Sequence, residues 1–176
     1  MKKVLILAGS PRKGGNSDIL CDAFAKGAAE AGHQVEKIYV QQLRIGGCMA
    51  CYGCRGTGVC VQKDDMASVL EKLIAADVIV LATPVYFYSM DGQMKTLIDR
   101  TLPRYTEIRD KEFYFIATAA AGAGAMQRTM DVLEGFTDCL PGAVVRDRIF
   151  GHGVYQKGEV EGTGAVQQAY QDGKKA

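Results

Sequence analysis

Lys3-Val4-Leu5-Ile6-Leu7-Ala8-Gly9-Ser10-Pro11-Arg12-Lys13-Gly14-Gly15-Asn16-Ser17 opens the chain with an apolar run that halts at a glycine and passes into a polar, glycine-rich loop. Val4 to Ala8 are apolar at every position, so a strand built from them needs cover on both faces. That is the mark of a parallel sheet between helices. A second run apolar at every position, Val78–Ala82, predicts another such strand, and Val35–Val40, Phe113–Thr118 and Val144–Phe150 read as three more. Helical periodicity separates them. Ile19, Leu20, Ala23, Phe24 and Ala28 recur near the helical repeat within Asn16–Ala31, and Gly32 ends that segment. Helices are also predicted over Met66–Ala76, Gly92–Leu102, Ala125–Asp138 and Val160–Gln171. Pro103 closes the third helix, and Asp64 or Asp65 caps the second. Strand and helix in strict alternation describe a doubly wound α/β sandwich with about five strands.

The chain has 176 residues, which suits a single domain spanning 1–176, and no repeat or linker divides it. Lys plus Arg number 21 and Asp plus Glu 20, a net charge of +1. That balance gives no support to nucleic-acid binding or to adhesion on an anionic membrane. Met1-Lys2-Lys3 and the run after it are too short for a signal peptide and lack a small-residue cleavage site, so the expected compartment is cytoplasmic. Disulfides are then a poor explanation for the 6 cysteines.

In doubly wound sheets, ligands sit beyond the carboxyl ends of strands where strand order reverses. The loop after the first strand offers side-chain hydrogen bonds from Ser10, Asn16 and Ser17. Gly14 and Gly15 let backbone N–H groups approach a ligand, and Arg12 adds charge. The loop also opens a helix, whose N-terminus attracts anions. The dinucleotide pattern G-x-G-x-x-G is absent, and Gly14 is not followed by the Lys-Ser/Thr of a Walker loop. A single phosphate fits best, as in a mononucleotide. The bland alternative is an ordinary turn with a capped helix.

One long irregular segment, Arg44–Lys63, holds Cys48, Cys51, Cys54 and Cys60 in the spacing C-x2-C-x2-C-x5-C. Four thiols so close in sequence suit an iron–sulfur cluster, a tetrahedral zinc site, or metal-free thiols that cycle through a disulfide. Zinc has no redox chemistry to offer. Cys21 and Cys139 read as buried structural thiols. His33 reads as a turn residue and His152 as a surface residue. The Asp64-Asp65 pair reads as helix capping rather than acid–base catalysis.

Gly9 to Ser17 resembles the FMN phosphate loop of the NADPH-dependent FMN reductases in the flavodoxin-like superfamily. Thr83-Pro84-Val85-Tyr86-Phe87 is similar to their flavin-ring loop, and Gly92-x-Met94-Lys95-x-x-Ile98-Asp99-Arg100 to the helix that follows. The subgroup called iron–sulfur flavoproteins carries a similar cysteine pattern in the equivalent loop. The resemblance implies a flavodoxin-like fold with strand order 2-1-3-4-5. It implies FMN held by Ser10, Arg12, Gly15, Asn16, Ser17, Pro84, Val85, Tyr86, Phe87, Thr118, Ala119 and Gly122. It also implies NAD(P)H as co-substrate, a [4Fe-4S] cluster on the four cysteines, and a homodimer or homotetramer.

The residues support these loops in their own right. Pro84 stiffens the turn, Tyr86 and Phe87 bring aromatic surface, and backbone N–H groups can meet the polar edge of an isoalloxazine ring. Tyr88 reads better as a core or interface residue. Thr118 to Gly124 is a run of small residues that leaves one ring face open. The expected function is an FMN-dependent oxidoreductase in which NAD(P)H reduces the flavin, and the flavin reduces a small acceptor or the cluster. A flavodoxin-like carrier fed by ferredoxin is one alternative, although +1 is a weak charge for steered docking. A redox sensor without turnover is the other.

Overall fold

In the computed structural model, which describes residues 1–176, ten elements alternate along the chain. They are β1 (Lys3–Ala8), α1 (Asn16–Glu30), β2 (Gln34–Tyr39), α2 (Met66–Ala75), β3 (Val78–Pro84), α3 (Gly92–Asp99), β4 (Glu112–Ala119), α4 (Gln127–Thr137), β5 (Val144–His152) and α5 (Gly164–Lys175). The five strands form one parallel sheet in the order β2-β1-β3-β4-β5. The flavodoxin-like, doubly wound sandwich expected from the sequence is therefore the observed fold. One core layer joins the sheet to α2, α3 and α4, and the other joins it to α1 and α5. β3, at the centre, is buried along its whole length. Each buried aliphatic side chain there contributes roughly 1.5–3 kcal/mol relative to exposure.

Two helices differ from their predicted extents by three or more residues at an end. α3 stops at Asp99, not Leu102. Pro103 has no N–H, its ring would strike the carbonyl four residues back, and it biases Leu102 away from helix. The closing helix begins at Gly164, not Val160. Val160 lies in a preceding 3-10 turn, and the Thr163 side chain caps α5 by accepting from the Ala165 N–H at 3.3 Å. A bulge in the β4–β5 ladder lets Val145 pair with Phe113 and Asp147 with Tyr114, so Arg146 is the extra residue.

α1 and α5 cross closely because a glycine on each helix faces the other's backbone. A Cβ on Gly27 would lie 2.1 Å from the Tyr170 carbonyl oxygen, and one on Gly173 would lie 2.1 Å from that of Phe24. Helix propensity alone predicts that alanine stabilises either position by about 1 kcal/mol. The clash with backbone reverses the sign, so Gly27→Ala and Gly173→Ala should each cost about 1–3 kcal/mol in urea denaturation.

Nearby, Asp172 is buried on α5 with its Oδ2 unpartnered. Burial, reinforced by the charge of Asp147, pushes its carboxyl up to about 6, and Lys175 at 3.7 Å only partly offsets this. The folded state therefore holds that proton more tightly than the unfolded chain does. This contribution to stability is full below about pH 4, declines as pH rises toward 6, and is gone above it. Asp172→Asn should raise stability at pH 7–8 by about 1–2 kcal/mol and change little at pH 4. Chemical denaturation at the two pH values reads both numbers.

Candidate functional site

β1, β3 and β4 are neighbours and run the same way, so the loops that follow them meet at one edge of the sheet. The connection from β1 leads to one side of the sheet and that from β2 returns on the other, the arrangement at which a doubly wound fold takes its ligand. Backbone bonds hold the loops together. The Gly9 N–H donates to Ala82 O at 2.8 Å, and the Val85 N–H donates to Thr118 O at 2.8 Å.

The first loop has the makings of an anion site. Gly15 is the N-cap of α1 and no side chain caps that end, so the first N–H groups of the helix lack protein partners. Ser10 and Ser17 are buried in the floor of the loop, and Arg12 stands exposed above it. Gly14 takes a left-handed turn at φ +64 that only glycine adopts cheaply.

Asn16 behaves differently from its expected role. Its Nδ2 donates to Gln156 O at 2.9 Å, and its Oδ1 accepts from the N–H groups of Gly158 and Val160 at 3.1 and 3.3 Å. The side chain ties the loop to the segment before α5, which leaves the Asn16 backbone N–H for a ligand. Two residues outside the predicted set also shape the loop. Asp18 is buried and accepts from the Gly14 N–H at 2.6 Å, with Lys37 at 2.9 Å balancing its charge. The aliphatic end and ammonium of Lys157 pack over Gly14. Asp18 is hidden among ordinary helix residues, and Lys157 is far away in the chain, so neither carried a local signal.

The second loop is a tight hairpin. Tyr86 and Ser89 exchange backbone hydrogen bonds at 2.9 and 3.0 Å, and Phe87 and Tyr88 form the corner at φ +49 and +63. Two consecutive positive φ values describe a turn that favours Asn-Gly, so a pair of aromatics there stores strain. Phe87 is wholly exposed and Tyr86 and Tyr88 are partly so. Tyr88, expected in a core or an interface, stands in this chain on the surface beneath the Arg128 guanidinium. Asp91 braces the hairpin from below. It is fully buried, accepts from Met94 N–H at 2.9 Å as the cap of α3, and accepts from Thr83 Oγ1 at 2.7 Å. Burial raises its carboxyl above the usual range. The third loop keeps Thr118 and Ala119 buried at the end of β4, while Gly122 is exposed. Unfilled N–H groups, a small-residue wall and projecting aromatics fit a phosphorylated flat heterocycle such as FMN.

Cys48, Cys51, Cys54 and Cys60 line one hollow together with Asp99, Arg100, Leu102 and Pro103. All four are free thiols, and no three acidic, thiol or imidazole groups stand in metal-ligand geometry. Four thiols are the right donor set for a sulfur-ligated centre and all four border one hollow, although their sulfurs are not drawn together as ligands. The neck of the segment is tightly closed. Asp65 N–H donates to Arg44 O at 3.1 Å, and the Asp65 carboxylate accepts from Arg44 N–H at 2.7 Å. Asp64 accepts from Gly46 N–H at 3.1 Å and from Met66 N–H, the first of α2, at 3.2 Å, whereas Asp65 at the N-cap position makes no side-chain cap bond. The Asp64 carboxylate also takes the Arg100 fork, which holds it below the usual carboxylate range. Cys21 is buried as expected, and burial pushes its thiol up. Cys139 is not buried. It is exposed beside Cys48 in an open groove, because α4 ends at Thr137 and leaves it in the following turn.

Comparison with known proteins agrees with this fold. An iron-sulfur flavoprotein of Archaeoglobus fulgidus is 44% identical over 103 residues, covering 58% of this chain and 46% of that protein. One from Methanosarcina thermophila is 28% identical across 98% of this chain and 92% of its own length. One from Methanocaldococcus jannaschii is 32% identical over 76% and 70%. Thus the chain spans less than half of the first of these relatives and most of the other two. Among solved structures, an azoreductase from Bacillus anthracis superposes with TM-score 0.77 at 16% identity, covering all of both chains. An NAD(P)H:quinone oxidoreductase from Methanothermobacter marburgensis gives 0.75 at 17%, covering 98% of this chain and 94% of its own. Those two likenesses establish the fold. The family model described as NADPH-dependent FMN reductase matches residues 2–156, taking in all five strands and the three loops at their carboxyl edge, and the chain belongs to that family.

Proposed function

We propose that this chain is an FMN-dependent oxidoreductase that takes electrons from NAD(P)H and delivers them to a small acceptor by way of a [4Fe-4S] centre at Cys48, Cys51, Cys54 and Cys60. The observation that carries the flavin half is the meeting of three loops at the switch point, within the stretch matched to the family. The observation that carries the sulfur half is the gathering of four free cysteines round one hollow, against the helix that begins below the flavin loop. Names of the similar iron-sulfur flavoproteins point the same way.

Bound FMN supplies hydride acceptance from NAD(P)H and onward electron delivery. The protein's part is binding and orientation. Ser10, Ser17 and the free N–H groups at the start of α1 hold the phosphate, with Arg12 adding charge from the rim. Asn16 keeps the loop closed against residues 156–160. The backbone of Pro84 to Phe87 lines the polar edge of the ring, and Thr118, Ala119 and Gly122 leave its other face open to the nicotinamide. The adjoining exposed rings of Tyr86, Phe87 and Tyr88 support a homodimer or homotetramer. Six free cysteines support a reducing, cytoplasmic setting.

The deciding experiment is an anaerobic absorption spectrum of freshly purified protein, with iron and sulfide counted per FMN. About four irons and four sulfides per flavin are expected. Cys60→Ser should remove most of the iron while keeping FMN. Flavin without iron in the wild type rejects the cluster and leaves a simple flavin reductase. Absence of flavin rejects the whole reading.

The strained hairpin gives a second test. Phe87→Asn with Tyr88→Gly suits the turn and should stabilise the protein by about 1–2 kcal/mol. If the aromatics serve the flavin site, the same change should lower turnover several-fold. Stability gained with turnover unchanged removes them from the site.

A further inference from the structure

Arg100 is the largest fully buried side chain in the molecule, and it sits where α3 ends. Its Nη1 donates to the Gly46 carbonyl at 2.7 Å and to Asp64 Oδ2 at 2.8 Å. Its Nη2 donates to Asp64 Oδ1 at 3.0 Å and to the Cys60 sulfur at 3.5 Å. Its Nε is buried and has no partner. One guanidinium thus grips both ends of the cysteine segment and one of its four sulfurs. Desolvating a guanidinium costs several kcal/mol, and a single carboxylate repays this incompletely. A tether alone would be served as well by apolar packing. The N–H···S contact is what apolar packing lacks.

We propose that Arg100 is a positioning residue for electron transfer to the cysteines: its hydrogen bond fixes Cys60 and its charge makes the sulfur centre easier to reduce. The inference rests on the reading of those cysteines as redox-active. Reduction puts negative charge on sulfur in either form the centre takes. A four-thiolate cluster held there would take up one electron of the hydride pair, the other staying on the flavin for the next transfer, whereas a disulfide would take both, its S–S bond breaking to leave two thiolates. The electrons come from NAD(P)H through the flavin, two per hydride, and no other reductant is involved. A donor and a positive charge at sulfur stabilise the reduced form in both cases. The Asp64 carboxylate opposes that charge. Removing Arg100 and removing the charge of Asp64 therefore act with opposite signs, which a mere tether would not do.

The test is an anaerobic redox titration of the holoprotein, with the flavin in the same sample as internal reference. Arg100→Gln should lower the equilibrium constant for passing electrons from flavin to the sulfur centre about tenfold. Arg100→Lys keeps the charge without the fork and should fall between. Asp64→Asn is isosteric and should raise the constant roughly three- to tenfold. A constant unchanged in both Arg100 variants overturns the proposal, as does a decrease in Asp64→Asn. Should the Arg100 variants fail to fold, the sign of the Asp64→Asn shift decides alone. A wild type that takes up only the two electrons of its flavin overturns the redox reading of the cysteines and this inference with it. That failure shows as missing electrons rather than as a missing shift.

Discussion

Parallel pairing is the constraint from which the rest follows. Two parallel neighbours cannot be joined by a tight turn, so every connection must cross back over the sheet, and a helix is the cheapest way to do it. Each crossing returns the chain to the same starting edge, which leaves all the strand-to-helix loops at the other edge. Because the chain begins in β1, near the middle, and winds outward both ways, the loops after β1 and β3 part around a crevice. The phosphate loop, the aromatic hairpin and the small-residue loop meet there because of this winding. Their sequences have nothing in common.

The cysteine segment needs a different explanation, since it has no regular structure of its own. Its order comes from a closed neck. Arg44 with Asp65, Gly46 with Asp64, and Gln62 with Gly47 pair the two ends, the last through Gln62 Nε2 on Gly47 O at 2.9 Å. Arg100 then fastens the neck to α3. Closing the ends confines the loop between them, so the four cysteines line one hollow even though the backbone bends through strained positive φ at Ala50 and Tyr52.

The three inner strands were legible because burial on both faces writes itself into consecutive residues, and Val78 to Ala82 shows this most plainly. The phosphate loop was legible because its glycines and hydroxyls are adjacent in the chain. What stayed hidden depends on distant partners. Asn16 looks like a ligand in sequence, yet its amide is spent on Gly158, Val160 and Gln156, more than a hundred residues away. Lys157 has no motif around it. Arg100 closes the helix motif that carries the family resemblance, but only the fold shows it inside the neck. Cys139 reads as apolar and buried by residue type, whereas its position just past α4 leaves it in the open. The early stop of α3 was written in Pro103, whose effect reaches four residues back to Asp99.

α3 is what joins the two halves of the site. At its N-terminus Asp91 caps the helix and holds Thr83 beneath the aromatic hairpin. At its C-terminus Arg100 holds the neck of the cysteine segment. The helix is eight residues long, about 12 Å of rigid rod, and both of its ends are fixed by buried polar groups. A buried polar group that shifts by an ångström loses its hydrogen bond without gaining water, so such anchors hold position better than apolar contacts, which slide. The strain in the hairpin and the bends in the cysteine segment persist because this rod is fixed at both ends. The spacing between flavin loop and cysteines within one chain is accordingly a property of α3 and its two anchors, and the irregular loops inherit it.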